Sequence, residues 1–166
     1  MIQNKTVRIL AIAPLSRGLG YAVMEGPDKL IACGNKAILR DKNAGALAWL
    51  DKFIRFYQPT VLVLPDVQAK DTRRASRIKS LHKQMIAWAV KRGLKVRLVS
   101  NTQVRIQLLN DAKATKQAVA EVLAKRFPTE LATRLPPKRR PWKSEDPRMD
   151  IFDAVGFAAG FWAKAW

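Results

Sequence analysis

This 166-residue chain has a single cysteine, a single histidine and only 13 acidic residues. Cys33 alone cannot build an internal disulfide framework, and with His82 the sole histidine there is no Cys/His spacing for zinc. A reducing compartment fits, and the cytoplasm is the expected location. Long hydrophobic runs are also missing. The apolar run 9–13, behind Lys5 and Arg8, is too short for the core of a secretory signal. The run 151–166 is interrupted by Asp153 and Lys164 and is too short to span a bilayer. No membrane partner is expected.

What the chain has instead is positive charge. It carries 31 Lys+Arg and a formal net charge of +18. Such self-repulsion points to a polyanionic partner, nucleic acid before an anionic membrane surface. The hydrophobic fraction of 48% is ordinary for a globular protein, and the length suits one domain, residues 1–166. The cations gather in two places. Lys70, Arg73, Arg74, Arg77, Lys79 and Lys83 crowd the start of a long helix, and Arg139, Arg140 and Lys143, with Lys138, flank Trp142. Lysine and arginine neutralise phosphates and release counterions, while an exposed tryptophan stacks on a base. Packing is the competing use for Trp142, and a solvated helix face the competing use for the first cluster.

The few acids are also concentrated. Glu145, Asp146, Asp150 and Asp153 fall within nine residues. Asp146-Pro147 reads as the cap and first position of a last helix, and Asp150 complements its positive end. Asp146, Asp150 and Asp153 then share one helix face. Asp153 lies between Phe152 and Ala154-Val155, where an acid is costly unless paired or bound to a metal. Asp66 follows a buried strand, at the end where α/β sheets present site residues, although a turn residue also fits. Ala13 ends the first strand and cannot ligate. Two-metal phosphoryl chemistry needs several carboxylates.

Element order follows from periodicity. Strands are expected at 7–13, 21–24 and 30–33, joined by short turns as an antiparallel meander. A helix over 44–57, a strand over 61–64, a helix over 73–91 closed by Gly93 and a strand over 96–99 come next. Helices at 103–109 and 115–126, a basic proline-rich linker over 135–142 and a helix from about 147 complete the chain. The fold class is α/β: a five-stranded mixed sheet in the order β-β-β-α-β-α-β-α, flanked by helices. Trp49, Trp88, Trp162 and the phenylalanines read as core, and His82 as surface or half-buried.

These positions carry a resemblance. Residues 9–21 resemble the opening of the RuvC-type Holliday junction resolvases, in the RNase H-like superfamily: an apolar strand, a turn with Pro14, the Ser16-Arg17 pair and Gly20-Tyr21. Residues 61–66 resemble the family's strand ending in glutamate. Asp150-Ile151-Phe152-Asp153-Ala154 resembles its final Asp-x-x-Asp-Ala motif. Lys116, with Val119 and Leu123 behind it, resembles the basic residue before that motif. The resemblance implies an RNase H-like fold and a catalytic set of Asp66, Asp150, Asp153 and Lys116. The three aspartates would hold Mg²⁺ or Mn²⁺, and Arg17 would join the two basic clusters against nucleic acid. It also implies a homodimer, because a four-way junction has two symmetric cleavage points. Two departures stand out: the family's first aspartate aligns with Ala13, and its glutamate with Pro65 or, shifted by one, Asp66.

The expectation is therefore a protein that binds branched or structured DNA with a degenerate or weakened phosphodiesterase site. An active Mg²⁺- or Mn²⁺-dependent endonuclease and a non-enzymatic RNA-binding or assembly protein on the same fold are the alternatives.

Overall fold

The computed structural model describes residues 7–68 and 75–163. Five strands form one mixed sheet: β1 (Ile9–Leu15), β2 (Gly18–Met24), β3 (Leu30–Ala37), β4 (Val61–Pro65) and β5 (Lys95–Val99). Their spatial order is β3-β2-β1-β4-β5. The meander β1–β3 is antiparallel, and β4 and β5 join in parallel. β1 is central because Ile9, Leu10, Ala11 and Ile12 are apolar on both faces and wholly buried.

Strand pleat splits the core in two. Leu10, Ile12, Leu62 and Leu64 face α1 (Lys42–Tyr57) and α2 (Ser76–Lys91), where they meet Leu50, Phe53, Leu81 and Met85. Ile78, Leu81, Met85 and Ala89 form the buried stripe of α2 that their spacing predicts. After α2 the chain turns at Gly93, whose φ of 78° glycine adopts without steric cost. Ile9, Ala11, Ala13, Val61 and Val63 face the other way, toward α6 (Met149–Ala163).

α6 is apolar nearly all round, so it is buried nearly all round. It touches all five strands on one side, and α3 (Asn101–Leu109) and α4 (Lys116–Arg126) cover its other side. Phe152 and Phe157 are among the largest fully buried side chains, each contributing roughly 2–3 kcal/mol by area. Gly160 lets Val99, Val104 and Gln107 approach the helix closely, since a Cβ there would lie 3.1–3.3 Å from them. Ser100 and Gln103 form a reciprocal capping box that starts α3, and Thr115 caps α4 through the Ala118 N–H. A short α5 (Pro128–Leu131) leads into the basic linker.

Four expectations need correction. α6 begins at Met149, two residues after Pro147, because 146–151 first form tight turns closed by the Asp146, Pro147 and Arg148 carbonyls. His82 is buried, since its Nε2 lies 2.8 Å from the Pro65 carbonyl oxygen and so has a partner inside. Phe56 is not core: it falls on the solvent side of α1 and is 78% exposed. Trp49, Trp88 and Trp162 pack against the core from its margin and are only partly buried.

Candidate functional site

The site lies at the end of the sheet where β1 and β4 terminate in parallel. Ala13 pairs with Gly20 across β1 and β2, and Gly20 lies directly under the first turn of α6. A Cβ on Gly20 would fall 2.0 Å from the Asp150 carbonyl oxygen. The absent side chain is therefore what lets α6 settle on β2 and deliver its aspartates to this edge. Asn35 on β3 donates to the Pro147 carbonyl at 3.0 Å and fixes the turn before the helix.

Asp150 is buried, its side chain 5% exposed, and Arg17 from the β1–β2 turn donates to its Oδ1 at 2.8 Å. Burial pushes the Asp150 carboxyl above the usual aspartate range, and Arg17 opposes that shift. One turn further along α6, Asp153 faces the Lys116 ammonium at 3.6 Å. The same ammonium donates to Glu145 at 3.1 Å. Burial works against the charged lysine, but Asp153 and Glu145 outweigh it and hold Lys116 above its usual range. Arg105 from α3 lines the same small cavity as Lys116 and Asp153. Asp146 acts as a local cap: its carboxylate takes the Arg148 backbone N–H and a bidentate guanidinium, which lower it below the usual aspartate range.

Asp66 reaches the same end of the sheet by a different face. Val61 and Val63 point toward α6, and the pleat gives that side to Pro65 next. The Asp66 N–H donates to Val99 at 3.0 Å, and its Oδ1 accepts from the Gln68 N–H at 3.1 Å, the geometry of a turn residue. Among the described residues no three His, Cys, Asp or Glu side chains form a group able to hold a metal ion. Asp150 and Asp153 are carried by α6, and Asp66 follows β4 at the same end of the sheet.

The basic residues flank this edge from both faces of the sheet. Arg77 at the start of α2 donates to Asn43 at 2.9 Å and to the Leu15 carbonyl at 3.3 Å, tying that helix to the end of β1. Lys79 and Lys83 follow on the exposed side of α2. Lys70, Arg73 and Arg74 lie outside the described residues. On the α6 side, Lys138, Arg139, Arg140 and Lys143 line an open groove of about 500 Å³ with Glu145 and Asp146. Trp142 is 74% exposed, so stacking rather than packing is open to it, and the Arg140 guanidinium stands 5.7 Å from its ring.

Sequence reasoning missed several cations here. Lys42 reaches the edge by donating to the Ser16 carbonyl at 2.7 Å. Arg105 reaches it from α3, and Arg148 from the turn before α6. Nothing in the linear pattern marks Lys42 or Arg105, because each arrives by the packing of a separate helix.

The path of the backbone is shared with known structures. No known family's sequence profile matches the chain, and no curated protein sequence does. Solved structures do. A Thermus thermophilus RuvC structure superposes with a TM-score of 0.68 at 15% identity, covering 93% of this chain and 92% of that one. T. thermophilus RuvC in complex with Holliday junction substrate gives 0.65 at 15% identity, covering 93% and 91%. The yeast mitochondrial Holliday junction resolvase Ydc2 gives 0.62 at 15% identity, covering 95% of this chain and 78% of that one. The fold is thus the RuvC-type, RNase H-like fold. At this identity the likeness extends to the path of the backbone, and function must be argued from the site.

A two-metal centre does not fit the residues present. Ala13 offers no oxygen and is 1% exposed, Pro65 takes the side facing α6, and both buried-end aspartates already face internal cations. No catalytic step through a metal is derived for this chain.

Proposed function

We propose that this chain is a RuvC-like nucleic-acid-binding protein that recognises branched or otherwise structured DNA, with a degenerate phosphodiesterase site. The single observation that carries the reading is the site's edge: Asp150 and Asp153 are retained on α6 but paired to Arg17 and Lys116, and Ala13 stands beneath them. Cations approach that edge from both faces of the sheet, which suits a ligand whose phosphates run in more than one direction. Trp142 supplies a stacking surface beside the basic groove. Arg17, Arg77, Lys79, Lys83, Arg139, Arg140 and Lys143, with Lys70, Arg73 and Arg74, are the proposed phosphate contacts, and two copies of the chain on one four-way junction are the proposed assembly.

Gel-shift titration of a four-way junction against duplex DNA of the same total length tests this. Preference for the junction, weakening steeply with salt, is the expected result. Equal affinity for both DNA forms, or tighter binding to structured RNA, overturns it. The competing reading is an active nuclease using Asp66, Asp150, Asp153 and Lys116. It requires junction cleavage in Mg²⁺ or Mn²⁺ that disappears in Asp153→Asn.

A further inference from the structure

We infer that Arg17 and Lys116 serve as resident counter-ions where a RuvC-type site would take divalent metal, so that this chain holds nucleic acid without any metal ion. The nucleic-acid half of this inference rests on the function proposed above; the metal half stands on the geometry alone.

Three observations carry it. First, the carboxylates of Glu145, Asp150 and Asp153 each already have a cation beside them: Arg17 stands at Asp150, and Lys116 stands at both Glu145 and Asp153. A divalent cation is drawn to a site by uncompensated negative charge, and here the carboxylates are paired within a chain of net charge +18. Second, the opening onto Asp150 is filled. Its carboxylate is 5% exposed, and the guanidinium at 2.8 Å occupies Oδ1, so a metal would have to displace Arg17 to reach that oxygen. Third, the next positions of a RuvC-type ligand set are altered. Ala13 is sealed under α6 and has no oxygen to offer, and Pro65, not an acid, takes the β4 position on the α6 side. Lys116 bridges Glu145 and Asp153 at 3.1 and 3.6 Å, the role a bridging cation would otherwise perform between two carboxylates.

The consequence differs from that of an apo enzyme awaiting its metal. Such a site repels a phosphate until cations arrive. This one already holds its carboxylates in ion pairs, so a phosphodiester can rest against it and exchange contacts with Arg17 and Lys116 directly.

Two measurements on the full chain decide the matter. In the first, free Mn²⁺ is followed by electron paramagnetic resonance as protein is added. The expected result is no saturable loss of signal beyond that of an Asp150→Asn/Asp153→Asn variant. Saturable uptake by the natural chain that vanishes in that variant overturns the inference. An Arg17→Gln/Lys116→Gln variant, shown folded by circular dichroism, is expected to gain Mn²⁺ uptake. A folded variant that stays silent overturns the claim that these two side chains are what exclude the metal. If that variant does not fold, the uptake by the natural chain still decides.

In the second measurement, four-way-junction affinity is compared in EDTA and in Mg²⁺ at matched ionic strength. Agreement within about twofold is expected, since the phosphate contacts come from side chains. Loss of about tenfold or more in EDTA overturns the inference. Absence of junction binding in both buffers would instead defeat the proposed function and leave the Mn²⁺ result standing.

Discussion

Arg17 and Asp150, 133 positions apart in the chain, meet at 2.8 Å across the edge of the sheet. The two are unequally placed: Arg17 keeps 40% of its side chain in solvent, while Asp150 keeps 5%. Removing the arginine therefore leaves a buried carboxylate without its partner. Removing the charge from the aspartate leaves a solvated arginine. Arg17→Ala is expected to cost about 1–3 kcal/mol of stability, and Asp150→Asn less. Urea unfolding of the two variants beside the natural chain checks the order, and the reverse order would show that Asp150 is not the strained partner.

Gly20 tests how α6 is seated. Its Cβ would overlap the Asp150 carbonyl, which is backbone and cannot rotate away. Gly20→Ala should lower stability by about 3 kcal/mol or more and, where protein is recovered, weaken DNA binding by shifting the acidic turn. Gly26→Ala is the control, because nothing lies within 4 Å of the Cβ it would add. Thermal melts of both variants suffice.

Lys116 tests the cluster's role in binding. Lys116→Ala removes the ammonium shared by Glu145 and Asp153 and exposes two carboxylates to an incoming phosphate. Junction affinity should fall by about tenfold, and the slope of log K against log salt should lose roughly one ion. An unchanged slope would place Lys116 away from the phosphates.

Acid sensitivity has a traceable source in Glu25. Lys29 and Arg8 both bond its carboxylate and hold it below the usual glutamate range. An acid lowered in the folded state adds stability above its unfolded pKa and loses it as pH falls through the folded value. The natural chain should thus lose stability below the ordinary glutamate range, and Glu25→Gln should flatten that limb. Denaturant midpoints measured from neutral pH downward give the comparison.

Cys33 offers a chemical readout. Burial raises its thiol, against the opposing Arg134 guanidinium, so little thiolate is present near neutrality. Its reaction with a thiol reagent such as DTNB should be slower than that of a free cysteine peptide and should accelerate only at higher pH.

Much of this fold is written in short-range patterns. The doubly apolar β1, the meander to β3 and the stripe Ile78, Leu81, Met85 and Ala89 are each local signals, and each element is present, although β1 runs through Pro14 to Leu15, β2 starts at Gly18 and β3 extends to Ala37. The site was less legible. Asp150 and Asp153 announced themselves as acids in an apolar helix, and the family resemblance singled out Lys116 and Arg17, but nothing in the sequence paired these cations with those acids. Arg17 comes from a turn, Arg105 from α3 and Lys116 from the start of α4, and only packing brings them to one place. Asp66 shows the same limit in reverse. Its place after a buried strand was readable, but whether Pro65 or Asp66 would face α6 depends on a pleat parity that only the assembled sheet fixes.

The position of α6 in the chain sets the timing of folding. Every strand has been made by Val99, yet the helix that closes one side of the sheet begins at Met149. α3 and α4, made in between, pack on each other and on that helix. The greasy plateau that α6 lids in the finished fold is thus encoded before its lid, and apolar surface left open in that way during synthesis is what invites misassociation.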